Sequence, residues 1–377
     1  MTHHDEREHS RSLSVIVPTR DGGSRAADAV ASVLDDPATS EVVVVLDRAG
    51  PPGRAVAALA DTDPRVRVVT GAARGPAQAR ATGAGLARGD ILLFLDDDVV
   101  AGPLLATGHL RAHAHHDHAV VVGTMPVSAR ACRGNATARV YARDYGRVVA
   151  RYTDGDAVLF DLWGGNLSIR RDECLAVGMT NRDYVHAHHE DRDFGLRCHA
   201  AGLTGVYDEE LRAEHRYTRS VREFLDLARE QVHAGRALYA LHEDALGPWR
   251  PERYLDGLPP RLAAAIDGVA RLGVPDVTVA ALCALGAVAR LVQARRWEDR
   301  SVWVARAVVQ HAAARVGDPR AGVTTSSRND HALALASTQA LHVGPRPSEA
   351  SVATRRRSAW RTRPRPWSGS HAGSAGS

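Results

Sequence analysis

Four short apolar runs, spaced by segments of helical periodicity, limit what this chain can fold into more than any other feature. Leu13 to Val17, Glu41 to Leu46, Val66 to Val69 and Ile91 to Leu95 are rich in β-branched and aliphatic residues, the composition of strands buried on both faces. Ala26, Ala29, Val30, Val33 and Leu34 recur at helical spacing after the first run, and Pro76 to Leu86 reads as a helix before the fourth. Strands alternating with helices predict an α/β architecture, a mostly parallel sheet flanked by helices. Ligands of such sheets gather at the carboxyl ends of the strands. Thr19, Asp47 and the triplet Asp96 to Asp98 stand there, which predicts a nucleotide site.

After Val122 the pattern changes to loops and short segments: Trp163-Gly164-Gly165-Asn166, a short strand at Leu167 to Ile169 and a helix from Asp191 to Ala201. Beyond Ser220 an apolar stripe of Leu225, Ala228, Val232 and Tyr239 marks a helical region that stays Ala- and Leu-rich to about Val316, with no visible chemistry. The expected organisation is a flexible N-terminus over residues 1–11, a catalytic domain over 12–220, a helical extension over 221–316 and a mostly disordered basic tail over 317–377.

Hydrophobic content of 44% and charged content of 24% suit a globular protein. Much of the +4 net charge sits in the tail, at Arg355, Arg356, Arg357, Arg361, Arg363 and Arg365. A Ser/Gly/Pro-rich stretch of this kind reads as a solvated end, so no nucleic-acid partner is expected. Cys132, Cys174, Cys198 and Cys283 are widely spaced without a CxxC pair, which fits a reducing, cytoplasmic compartment. The histidine-rich start has no apolar signal core. Val277 to Val292 is interrupted by Arg290 and shorter than the roughly 20 residues of a membrane span, and is expected to be a packed helix. Helices after Ser220 leave peripheral contact with the inner face of a membrane open.

Asp96, Asp97 and Asp98 follow an apolar strand directly. Carboxylates so close repel one another unless a cation joins them, and oxygen ligands of this kind favour Mg²⁺ or Mn²⁺ together with substrate phosphates. The same triplet also suits a turn and a helix N-cap. Glu190 and Asp191 open a helical segment, where a carboxylate can act as general base or simply stabilise the helix dipole. His215 is a further candidate ligand among 19 histidines.

Taken in order, Leu13-Ser14-Val15-Ile16-Val17-Pro18-Thr19, Ala79-Arg80-Ala81-Thr82-Gly83, Phe94 to Asp98, Gly164-Gly165-Asn166-Leu167-Ser168-Ile169-Arg170-Arg171, Glu190-Asp191 and His215 resemble the family two inverting glycosyltransferases of GT-A fold. The resemblance runs from about Leu13 to His215 and implies a GT-A fold, a Rossmann-like, mostly parallel sheet flanked by helices. It implies that Pro18, Thr19 and Asp47 contact base and ribose, that Arg80 reaches base or diphosphate, and that Asp96 and Asp97 belong to the nucleotide-sugar site. Asp98, Asp96 and His215 would hold Mn²⁺ or Mg²⁺, Asp191 would be the base with Glu190 beside it, and Trp163, Gly165 and Asn166 would line the sugar and acceptor pocket. The implied donor is a nucleotide sugar, UDP-linked in preference to GDP- or dTDP-linked, and the acceptor hydroxyl is unidentified.

Two stretches depart from the family pattern. Leu46-Asp47-Arg48-Ala49 stands where a paired aspartate and Gly-Ser are usual, and Arg80-Ala81 replaces an Arg-Asn pair. No Gln-x-x-Arg-Trp motif follows His215, which favours one sugar per encounter over processive synthesis. A catalytically inactive nucleotide-sugar-binding protein and a metal-dependent nucleotidyltransferase are the alternatives. The latter needs a Gly-rich phosphate loop, which Asp21-Gly22-Gly23 barely supplies.

Overall fold

Every residue of the first strand, Leu13–Thr19 (β1), is buried, and its side chains alternate between two cores. Leu13, Val15 and Val17 join one cluster and Ile16 the other. The same division separates Val42 and Val44 from Val43 and Val45, and Ile91, Leu93 and Leu95 from Leu92 and Phe94. A period of two with both faces apolar is the mark of a central strand covered on each side.

The computed structural model describes residues 11–316, apart from positions 73, 153, 154 and 185. The start before Arg11 and the tail from residue 317 lie outside the described residues. Besides β1 the strands are β2 (Thr39–Leu46), β3 (Val66–Thr70), β4 (Ile91–Leu95), β5 (Val99–Ala101), β6 (Ala119–Thr124), β7 (Asn166–Arg170) and β8 (Thr204–His215). The helices are α1 (Ser24–Leu34), α2 (Arg54–Thr62), α3 (Pro76–Leu86), α4 (Leu105–His115), α5 (Ala129–Gly134), α6 (Ala136–Val149), α7 (Gly155–Phe160), α8 (Arg171–Val177), α9 (Glu190–Ala200), α10 (Val221–Leu241), α11 (Glu243–Leu246), α12 (Pro260–Arg271), α13 (Pro275–Leu291) and α14 (Arg295–Arg315).

One sheet runs β3-β2-β1-β4-β7-β6-β8-β5. Its first four strands are parallel, as the alternation of elements requires. Beyond β4 the sheet is mixed: β7 lies antiparallel to β4 and β6, and β5 antiparallel to β8. The parallel character predicted for the sheet therefore belongs to the half built before Asp96, and the fold is a mixed-sheet α/β fold. Helices α1 and α4 cover one face through Ala26, Ala29, Val30, Val33, Leu105 and Ala106. Helices α3, α8 and α9 cover the other through Ala79, Ala84, Cys174, Phe194 and Cys198.

A third cluster joins α6, α10 and α14 through Ala138, Val140, Phe224, Leu225, Ala228, Val302, Ala305 and Val309, with Tyr217 among them. Helix α13 packs on α14 closely enough that a Cβ at Gly286 would touch the Ser301 Cβ at 3.4 Å. The expectation of a packed helix at Val277 to Val292 holds for that one face; Val277, Leu285, Val288, Leu291 and Val292 are exposed. No helix among the described residues is long and apolar enough to cross a membrane. All four cysteines are free.

Candidate active site

The carboxyl ends of β1, β2 and β4 open into a cleft of about 1130 Å³. Pro18, Thr19, Asp47, Arg80, Asp96, Asp97, Asp98, Trp163, Gly165, Glu190, Asp191 and His215 all line it. The sequence motifs, separated by up to two hundred residues, thus meet because strand ends and their following loops share one edge of the sheet.

At the ends of β1 and β4 the Thr19 hydroxyl donates to Asp97 Oδ2 at 2.7 Å and accepts the Gly22 N–H at 3.2 Å. Asp47 accepts the Gly75 N–H at 2.9 Å. Gly75 has φ +94°, a conformation that only glycine adopts cheaply, and it brings the start of α3 against the end of β2. Burial pushes the Asp97 carboxyl up, and the charges of Asp98 and Asp96 add to that, against the Thr19 hydrogen bond. Asp98 goes the other way. Burial raises it, but the hydrogen bond and charge of His215, with Arg25 and Arg219, outweigh burial and hold it below the usual carboxylate range.

His215 Nε2 stands 3.3 Å from Asp98 Oδ2. Strand pairing produces this contact: His215, the last residue of β8, is in register with Val99, the first of β5, just past Asp98. The Arg216 N–H donates to the Asp98 carbonyl at 2.8 Å. Two ligands about 2.1 Å from one ion and at right angles stand about 3 Å apart, so the spacing of Asp98 and His215 suits a shared divalent cation. Asp96 is committed elsewhere, its Oδ1 accepting from Arg80 Nη2 at 2.6 Å. No group of three or more His, Cys, Asp or Glu residues that could hold a metal occurs among the described residues. Of the set expected from Asp98, Asp96 and His215, Asp98 and His215 face each other and Asp96 is turned toward Arg80.

Arg80 links the two sides of the cleft. Besides Asp96, its guanidinium faces Glu190 Oε1 at 3.5 Å. The side chain is buried and its Nε has no hydrogen-bond partner. Burial works against its charge, yet Asp96, Glu190 and Asp191 together hold it firmly protonated. Gly165 lies against Asp96, and a Cβ there would come within 2.8 Å of both Asp96 Oδ2 and Met125 Sδ. The Gly165 carbonyl accepts the Asp96 N–H at 3.2 Å.

Asp191 sits in the first turn of α9 with both oxygens engaged by the backbone: Oδ2 accepts the Gly164 N–H at 3.2 Å and Oδ1 the Arg192 N–H at 2.9 Å. Burial raises the Asp191 carboxyl despite Arg80 and these donors. Burial raises Glu190 too, reinforced by the Asp191 charge and opposed by Arg80. The turn into α9 is made by His189 with φ +62°, a left-handed conformation that costs a non-glycine residue about 1–2 kcal/mol. Its ring is tied to the Gln231 carbonyl at 3.2 Å, which anchors the turn to α10.

Asn166 does not join the cleft. It is fully buried, with Oδ1 facing His109 Nε2 at 2.9 Å and Nδ2 donating to the Leu211 carbonyl at 3.0 Å and the Thr124 carbonyl at 3.3 Å. His109 Nδ1 and His113 Nε2 both meet the Ser168 hydroxyl, at 2.8 and 2.9 Å. The expectation that Asn166 lines the sugar pocket is therefore corrected: its amide closes a sealed polar network between β7, α4 and β8, and positions the Gly-Gly turn before it.

Several cleft residues carry no motif. Tyr141 stacks on Tyr217 with centroids 4.6 Å apart and meets Trp163 at 5.3 Å and His215 at 5.2 Å. Glu223, Leu227 and Gln231, on one face of α10 at a spacing of four, line the wall opposite the sheet. The only signal for these in the chain is the Ser220-x-x-Glu223 capping box, which starts the helix at the cleft.

The family model described as Glycosyl transferase family 2 matches residues 14–174. No curated protein matches the chain. Among solved structures, the mannosyltransferase PcManGT from Pyrobaculum calidifontis, in complex with GDP-Man and Mn²⁺, is similar at 19% identity and a TM-score of 0.51, over 81% of this chain and 88% of that one. GalNAc-T7 with UDP, GalNAc and Mn²⁺ is similar at 15% identity and a TM-score of 0.43, over 63% of this chain and 52% of that one.

Proposed function

We propose that this chain, which matches the Glycosyl transferase family 2 model over residues 14–174, is a glycosyltransferase that moves one sugar from a nucleotide-sugar donor to an acceptor hydroxyl by a single displacement with inversion. The observation that carries this reading is the division of one cleft into an acidic donor side, Thr19, Asp47 and Asp96 to Asp98, and a half-buried carboxylate, Asp191, on the other. UDP sugars are the first donors to test, with GDP and dTDP sugars beside them.

Asp98 and His215 would hold a divalent cation, which when bound neutralises charge gathering on the departing diphosphate. Thr19 and Asp47 position the nucleoside, and Asp97 is held by Thr19. Arg80, protonated and fixed between Asp96 and Glu190, keeps the donor carboxylates and the base at a set separation. Asp191 takes the acceptor's proton as its oxygen attacks the anomeric carbon and the bond to diphosphate breaks. A base with raised proton affinity is suited to this task near neutral pH. Trp163, held against Tyr141 and Tyr145, presents an aromatic face to a sugar ring.

Single-turnover transfer with Asp191→Asn tests the assignment. We expect kcat to fall about 10²- to 10⁴-fold with nucleotide affinity unchanged. Wild-type kcat in this variant would contradict the assignment.

A further inference from the structure

Helix α13 is apolar over most of its circumference, Asp276, Thr278 and Arg290 apart. One side, Val279, Leu282, Gly286 and Ala289, lies on α14 and its neighbours. The opposite side exposes Val277, Leu285, Val288, Leu291 and Val292 in a row at helical spacing, with Val277 72% and Leu291 82% accessible. The loop before the helix adds Leu272, 78% accessible, and Val274. A helix of this kind needs an apolar neighbour on each side, and an exposed apolar stripe on a folded protein marks an interaction surface. None of these residues lines the catalytic cleft.

The rim of the stripe names the occupant. Arg290, Arg295 and Arg296 stand exposed at one end, while Arg271 at the other is paired with Asp267 at 2.6 Å. Trp297 is 58% exposed, with the Arg300 guanidinium 5.9 Å from its ring centroid. The acid of the helix, Asp276, faces Arg229 at 3.9 Å. Apolar side chains flanked by arginines and an exposed tryptophan match an anionic lipid surface, where chains accept the stripe and headgroups meet the cations. A second copy in parallel register is the poorer fit, because the Arg290, Arg295 and Arg296 clusters would meet; an antiparallel dimer is one of the outcomes of the test.

We propose that α13, with Leu272, Trp297 and the arginines beside it, docks this protein in the plane of an anionic lipid surface without crossing it. The docking does not depend on the transfer chemistry assigned above.

The full chain is sedimented with phosphatidylcholine vesicles, with and without phosphatidylglycerol, and its self-association is followed by sedimentation velocity without lipid. Binding to the phosphatidylglycerol vesicles is expected. It should weaken about tenfold or more in Leu285→Glu with Leu291→Glu, and in the milder Leu285→Ser with Leu291→Ser, both still binding nucleotide. Arg290→Gln with Arg295→Gln and Arg296→Gln should reduce the preference for the anionic lipid. Absence of wild-type binding overturns the proposal. So does binding unchanged in both leucine pairs, which would place it elsewhere in the chain, or a wild-type dimer that the leucine changes dissociate.

Discussion

Asp191 and Glu190 occupy adjacent positions, share a half-buried site and are both displaced upward by desolvation there. A base works only when ionised, so the account predicts that kcat/KM falls as pH is lowered through a value above the ordinary aspartate range of about 4. A pH profile measured on the wild type should show this limb, and an acid limb at about 4 would contradict the environment assigned to Asp191. Gly165 permits a test of the donor side without altering a charge. Gly165→Ala pushes a methyl into Asp96 Oδ2 and Met125 Sδ, and is expected to weaken donor binding while leaving the melting temperature within a few degrees of wild type. At this scale the motif residues were identifiable from their order alone, but their directions were not. Asn166 shows why: a strand buried on both faces tells nothing about which neighbour each side chain meets, and its amide turned out to be spent on His109, Leu211 and Thr124.

At the scale of elements, β1, β2 and β4 were readable because continuous apolar runs admit one buried arrangement. Strand β5 has three residues, too few for any periodicity. Strand β8 runs for twelve residues through Asp208, Glu209, Glu210, Arg212 and Glu214, because it is half exposed and its ends carry His215 to Asp98. Helix α10 was read as lacking chemistry, since its apolar stripe was visible but the side facing the cleft, Glu223, Leu227 and Gln231, has no motif. Its start is fixed by Ser220 and Glu223, each bonded to the other's backbone N–H. Ser220→Ala should cost about 1 kcal/mol of stability, read as a lower denaturation midpoint, and should loosen the acceptor side before the donor side. Inside α9, a Cβ on Gly195 would come within 2.1 Å of the Leu159 carbonyl oxygen. Gly195→Ala is therefore expected to destabilise the protein by about 1–3 kcal/mol, and an unchanged denaturant midpoint would argue against this packing of α7 on α9.

For the molecule as a whole, three histidines couple folding to pH, His109 and His113 being buried and His189 half-buried. Burial lowers His109 to about 4, and His113 and His189 to about 3, with nearby cationic groups adding to the last two. An unfolded histidine titrates near 6.5, so between that value and the folded values the unfolded state binds more protons. The stability these residues supply is complete above about pH 6.5 and is lost as pH falls toward 4. Thermal melts across that window should show a progressive fall, smaller in His113→Asn. The central claim is that Asp98 and His215 meet to hold a cation against the diphosphate of a nucleotide sugar in this cleft. Calorimetric titration with UDP, GDP and dTDP, each with and without Mn²⁺, tests it most directly when set beside Asp98→Ala. The account predicts that one nucleotide binds in a Mn²⁺-dependent manner and that the variant loses this dependence; binding of none of them, or equal binding to wild type and variant, would contradict it.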